Sequence, residues 1–214
     1  GPTHSQTLEK IFLGIPGLRV LAPSALGNPG TLLAQAIQDE DPVLFVENKL
    51  LYLMPIHDQD SLNDFEVQQI KLGKTYAPAY NLKMRGAPDP TLTIAAYGYM
   101  AELALEALHR LAYEEEIFAE LIVPTQLSPF ELTPVLDSVR RTGRLLVVEE
   151  GTYTHGWGAE VLAISAESLG PQLRHASRVA AGDYPIPAST ILEAFILPGV
   201  DDIIAGARKI TAAP

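Results

Sequence analysis

Apolar positions along the 214-residue chain alternate between two rhythms. Short unbroken apolar runs mark buried strands, and apolar residues three and four apart mark helices with one buried face. Leu18 to Ala22 reads as a buried strand stopped by Pro23-Ser24. Asn28-Pro29 reads as a helix cap with proline at the first helical position, leading into an apolar stripe of Leu32, Leu33, Ala36 and Ile37. Asp41-Pro42 ends that helix and Val43 to Val46 is the next strand, so the opening is a strand-helix-strand unit whose strands should be parallel. From Met54 to about Tyr76 the periodicity dissolves among Pro55, Asp58, Asp60, Asn63 and Asp64, which predicts an interdomain linker with room for one short strand.

Beyond it strands and helices alternate again. Strands are predicted over Asn81 to Met84, Leu92 to Ala96, Phe118 to Val123, Arg144 to Glu149 and His175 to Ala180. Helices are predicted from Tyr99 to about Ala112, from a Thr133-Pro134 cap through Arg141 to Gly143, and over Gly158 to Leu169, Thr190 to Phe195 and Val200 to Thr211. This alternation implies an α/β fold, three layers deep, with a mainly parallel sheet covered by helices on both faces.

Composition narrows the function classes. A hydrophobic content of 47% with 19% charged residues is that of an ordinary globular chain. The formal net charge of -11, with no Lys/Arg run, argues against a nucleic-acid partner, which needs a basic patch. The absence of cysteine excludes disulfides, thiolate catalysis and Cys-zinc sites, and fits a reducing compartment. The longest apolar runs are too short to span a bilayer, no signal peptide opens the chain, and membrane insertion is not expected. The start at Gly1-Pro2, without an initiator Met, reads as a processed, truncated or engineered terminus.

Four places carry candidate chemistry, each with a plain structural alternative. His4, within Thr3-His4-Ser5-Gln6, is a side chain able to exchange protons near neutral pH, or simply a solvated histidine near a chain end. Gly156-Trp157-Gly158-Ala159-Glu160, between a strand and a helix, could hold a phosphate or carboxylate at the helix N-terminus, or serve only a tight turn and close packing. Glu149-Glu150 ends a strand where open α/β sheets put their ligands, yet neighbours on a strand point to opposite faces, so a charged rim competes with an acid/base pair. His155 in the following loop is a proton donor or a solvated side chain, and Asp183 to Pro187 is a proline-stiffened surface loop suited to an interface.

Taken in order, these pieces resemble the β subunit of the thiamine diphosphate-dependent decarboxylating component of 2-oxo acid dehydrogenase complexes, within the transketolase superfamily. The matching segments are His4-Ser5-Gln6 with Glu9 and Phe12, Pro16-Gly17-Leu18 with Pro23-Ser24, Glu47 to Tyr52, Asp89-Pro90-Thr91 leading to Ala96-Tyr97-Gly98, Thr142 to Glu150 before Gly156 to Glu160, and Asp183, Pro185 and Pro187 before Leu192-Glu193. The resemblance implies that residues 1–54 are the end of a pyrimidine-binding domain, 55–75 a linker and 76–214 a transketolase-like C-terminal domain. It implies a catalytic role for His4, which in the family helps stabilise or protonate substrate-derived intermediates. It further implies thiamine diphosphate and Mg²⁺ in the full assembly, with neither bound tightly by this chain alone. An α subunit, a second β subunit and a lipoyl-bearing acyltransferase are the implied partners, and the cytoplasm or an organelle matrix the implied location. The family's catalytic Glu lies upstream of the His-Ser-Gln segment and is absent from this chain. Where the family commonly shows Asp-Leu-Arg-Thr-Leu, the chain has Val123-Pro124-Thr125-Gln126-Leu127. Two further readings are a non-catalytic assembly scaffold of the same fold and a phosphate or nucleotide binder using the Gly156 turn.

Overall fold

A computed structural model describes residues 5–73 and 75–213. Two sheets organise the chain. The smaller is three-stranded: β1 (Arg19–Leu21) lies between β2 (Val43–Phe45), parallel to it, and β7 (Gln126–Ser128), antiparallel to it. The connecting helix α1 (Pro29–Ile37) starts as expected, with the Asn28 side chain accepting from Thr31 N at 3.1 Å. Only Leu32 and Ala36 of its apolar stripe are buried, because the three short strands beneath it offer little area to cover.

The larger sheet has the order β3 (Phe65–Ile70), β4 (Ala79–Met84), β6 (Ala119–Pro124), β5 (Leu92–Ala96), β8 (Arg144–Thr152), β9 (His175–Ala181). The pairs β6–β5, β5–β8 and β8–β9 are parallel, and β4 runs antiparallel to both β3 and β6. The strand found inside the expected linker, β3, is hydrogen-bonded along its whole length to β4. The rest of that segment is fastened as well: His57 donates its backbone N–H to Ala25 O at 2.8 Å and sets Nε2 2.7 Å from Glu102 Oε2 on α2 (Tyr99–Glu115).

The period-two alternation of the central strands sorts their side chains into two cores. Leu92, Ile94 and Ala96 of β5, with Leu146 and Val148 of β8, meet α2 and α6 (Val200–Thr211). Ala95 and Tyr97, with Leu145 and Val147, meet the opposite layer of α3 (Thr133–Thr142) and α4 (Trp157–Leu169). This is the three-layer α/β/α arrangement expected from the alternation of elements. A short helix, α5 (Thr190–Ala194), lies between β9 and α6. Gly143, in the left-handed region at φ 69°, closes α3 with its N–H on Val139 O. No helix among the described residues is long and apolar enough to cross a membrane.

Leu146 is fully buried between β8 and α6, where its methyl carbons approach Gly206. Leu146→Ala should lower unfolding free energy by about 2–5 kcal/mol. Ile191→Ala, at a position 73% exposed, should stay within about 0.5 kcal/mol. Urea denaturation of both variants against the parent chain checks the contrast.

Candidate functional site

The chain leaves β5 through α2 to reach β6 on one side, and reaches β8 on the other side after α3. Strand order therefore reverses between β5 and β8, and a crevice opens beyond their carboxyl ends, where sheets of this kind receive ligands. The residues at that point are Tyr97 and Gly98, after β5, and Glu149 to Thr152, ending β8. Gly98, at φ 55°, makes the turn from β5 into α2 in a conformation that other residues rarely adopt. A cleft of about 590 Å³ lies here, lined by Ser5 to Glu9, Phe45 to Leu50, Tyr97 to Met100 and Glu150, among others.

The N-terminal segment is held into this crevice by bonds to residues from Tyr97 to Thr154. Thr7 Oγ1 donates to Glu150 Oε1 at 2.5 Å, and Asn48 Nδ2 donates to Glu150 Oε2 at 2.9 Å. The Tyr97 hydroxyl donates to Glu9 Oε1, while Lys10 Nζ donates to Thr154 O at 2.6 Å and to the Thr152 hydroxyl. Glu9, on a single 3₁₀ turn (Glu9–Ile11), is 4% exposed, and its Oε2 has no protein partner. Burial pushes its pKa up, against the lowering effect of the Tyr97 hydrogen bond. Burial, then the charge of Glu9, pushes the Tyr97 phenol well above its usual range.

Glu149 and Glu150 do face opposite ways. The charged-rim reading fails for Glu149, which is 1% exposed and turned toward the N-terminus of α4. Its Oε1 accepts from Gly158 N at 3.0 Å. A Cβ on Gly156 would stand 2.5 Å from both carboxylate oxygens, and one on Gly158 would stand 2.7 Å from Oε1. The two glycines thus make room for a carboxyl group at a helix N-terminus, and the carboxyl group is the chain's own. That overturns the phosphate-binding reading of the Gly156 turn, since its anion position is filled from within. Burial raises the Glu149 pKa from 4.5 to about 7, opposed by the Gly158 hydrogen bond and by the charge of Arg178. Trp157, the first residue of α4, packs edge-on against Tyr97 with ring centroids 5.1 Å apart. A continuous path of contacts therefore runs from α4 through Tyr97 and Glu9 to the segment that follows His4.

His4 itself lies outside the described residues. His155 is exposed, with a left-handed backbone at φ 56°, as befits a loop histidine. Asp183 accepts from Thr154 N at 3.0 Å and Thr154 Oγ1 at 2.5 Å, so the proline-stiffened loop braces the turn after β8. Glu9 and Tyr97 carry no chemistry in the sequence reading. The switch-point rule, applied to β5 as it was to β8, could have singled out Tyr97. Glu9 gave no such signal, because its burial depends on a partner 88 positions away.

Thiamine diphosphate with Mg²⁺ needs an anion cradle and a group of oxygen donors. Among the described residues no three His, Cys, Asp or Glu side chains are grouped to hold a metal ion. The glycine turn at the start of α4 is filled by Glu149. The described residues do not fit the diphosphate and its metal, and no chemical step is assigned through them.

Comparison with known proteins adds three findings. The family model described as "Transketolase, C-terminal domain" matches residues 83–203. The chain is similar to the pyruvate dehydrogenase E1 component subunit beta-1, mitochondrial, of Arabidopsis thaliana, at 35% identity over 98% of this chain and 55% of that protein. It is similar to the acetoin:2,6-dichlorophenolindophenol oxidoreductase subunit beta of Cupriavidus necator, at 36% identity over 96% of this chain and 57% of that protein. The chain thus spans a little over half the length of these relatives. A solved structure titled "Split gene transketolase, inactive beta4 tetramer" shares the fold, with a TM-score of 0.66 and 22% identity over 96% of this chain and 62% of that one.

The Glu149 carboxyl sets a pH dependence. It holds its proton to about pH 7 when folded but only to about 4.5 when unfolded, so the folded state binds more protons between those limits. Stability is therefore full below about pH 4.5 as far as this group is concerned, and falls by about 3 kcal/mol as pH rises through 7. Glu9 acts in the same direction. Glu149→Gln, whose amide oxygen can still accept from Gly158, should flatten the decline between pH 5 and 8 to the share left by Glu9. Chemical denaturation of both chains across that range measures it.

Proposed function

Because the chain belongs to the transketolase C-terminal domain family, we propose that it serves as the C-terminal part of the β subunit of a 2-oxo acid dehydrogenase of the pyruvate or acetoin dehydrogenase kind. The observation that carries the reading is the crevice at the switch point, into which the segment following His4 is fastened by Glu150, Tyr97 and the Thr152–Thr154 loop. Similarity over nearly the whole chain to β subunits with those names supports it. The full enzyme oxidatively decarboxylates a 2-oxo acid and passes the acyl group to a lipoyl-bearing acyltransferase. Its partners are an α subunit, a second β subunit and that acyltransferase. Residues 1–54 are the end of the pyrimidine-binding domain, 55–75 the linker and 76–214 the C-terminal domain.

Thiamine diphosphate with Mg²⁺ would be held by parts of the assembly other than these residues and would supply the electron sink there. This chain contributes His4, which holds or gives a proton to the substrate-derived group. It also contributes the rigid C-terminal layer against which the following segment is laid. The working enzyme is assigned to the cytoplasm or an organelle matrix, in keeping with the word mitochondrial in the name of the Arabidopsis relative.

Two measurements test this. In the assembled enzyme His4→Ala should lower turnover by about 10²–10⁴-fold while cofactor affinity changes far less. Unchanged turnover would favour a scaffold of the same fold instead. Calorimetric titration of the isolated chain with thiamine diphosphate and Mg²⁺ should give no micromolar binding, and the isolated chain should release no CO2 from pyruvate. Either activity from the chain alone would overturn the division of labour.

A further inference from the structure

We propose that Glu150 is a positioning residue for His4, and that through it the C-terminal domain sets where the catalytic histidine's segment lies. The proposal rests on the reading of His4 as the proton-transfer residue.

Residues 5–8 form no helix or strand, so no backbone ladder fixes their course. Side-chain tethers carry that task instead. Thr7 is three residues from His4, so its tether constrains a stretch of at most about 11 Å of extended chain. The group it bonds is Glu150 at the end of β8, with an O···O distance of 2.5 Å. The second oxygen of the same carboxylate takes the Asn48 amide at 2.9 Å. Asn48 is itself fixed, because its Oδ1 accepts from Leu50 N at 2.9 Å. One half-buried carboxylate thus joins the segment after His4, the turn after β2 and the end of β8.

The chemistry of the junction favours a carboxylate. Both partners are donors, and an ionised carboxyl is an acceptor on both oxygens. A glutamine at this place has one acceptor and one donor. Its oxygen can accept from Asn48 while its NH2 donates to the Thr7 hydroxyl, which accepts as well as donates, so both contacts can persist without the strengthening that an ionised carboxylate gives. Glu150→Gln should therefore keep both contacts in weaker, neutral form, and Glu150→Ala neither. The group is partly exposed at the rim of the cleft, so neither change opens a hole in the core.

The test compares His4→Ala, Glu150→Ala and Glu150→Gln in the assembled enzyme, with pyruvate and a branched-chain 2-oxo acid as probe substrates. Amide exchange is followed in the isolated chain alongside. Glu150→Ala should lower kcat by about 10–100-fold, the scale on which a small misplacement acts, with KM and cofactor affinity within about twofold. It should also move the limb of the pH–rate profile that His4→Ala abolishes. Glu150→Gln should fall between Glu150→Ala and the parent in both. Exchange in residues 5–12 should quicken in Glu150→Ala while β5 and β8 stay protected. A crippling His4→Ala beside a Glu150→Ala with parental kcat and pH profile overturns the proposal and leaves the function standing. Unchanged exchange in residues 5–12 also overturns it. A silent His4→Ala removes the functional reading, and the proposal falls with it.

Discussion

Consecutive residues of an extended strand cannot share a face, and at the end of β8 this rule divides two carboxyl groups between two environments. Glu149 turns inward to the start of α4, where two glycines leave it space and one backbone N–H receives it. Glu150 turns to the cleft and accepts from Thr7 and Asn48. The first group locks the strand to the helical layer that covers it. The second locks the same strand to residues near the other end of the sequence. Slipping β8 by one residue would exchange the two, exposing the cradle to a misplaced side chain and leaving the cleft without its acceptor.

Around that point the interior is polar to a degree that a packed core seldom tolerates. Glu9 and Glu149 each keep one oxygen without a protein partner, and the Trp157 indole nitrogen has none either. A buried ionised carboxylate is costly, and burial raises the pKa of both acids accordingly. Aromatic surface surrounds them: Tyr97 stands between Glu9 and Trp157, giving its hydroxyl to one and its ring to the other. A structure that spends stability here keeps two parts of the chain in a fixed relation.

The regular elements were legible because hydrophobic periodicity reports burial directly. The central strands and the two helical layers follow from it almost residue for residue. What escaped was set by partners distant in sequence. The strand β7, only Gln126 to Ser128, carries no apolar alternation of its own and exists because β1 offers it an edge. Gln126 earns its place as a polar junction, accepting from Arg19 Nη1 at 2.8 Å and Thr75 Oγ1 at 2.7 Å. In β3 the polar Glu66, Gln68 and Gln69 hide the strand pattern, as suits a strand on the sheet's edge. At the Gly156 turn the sequence leaves an anion site and close packing as alternatives, and no local pattern could say that Glu149 fills the space. The segment after His4 showed its family likeness, whereas its tethers lie more than eighty positions away.

The small sheet has a consequence for how such a chain could be exchanged or recombined. Two of its strands come from the first fifty residues and the third from β7, well inside the C-terminal portion. Linear order and spatial order therefore disagree. A C-terminal cassette moved to another context would carry a stub strand in search of a neighbour, and an opening segment moved alone would leave β1 half paired. The segment between them is no free spacer either, since β3 pairs with β4 and His57 is bonded to Ala25 and Glu102, so the two halves can be shuffled only as a matched pair.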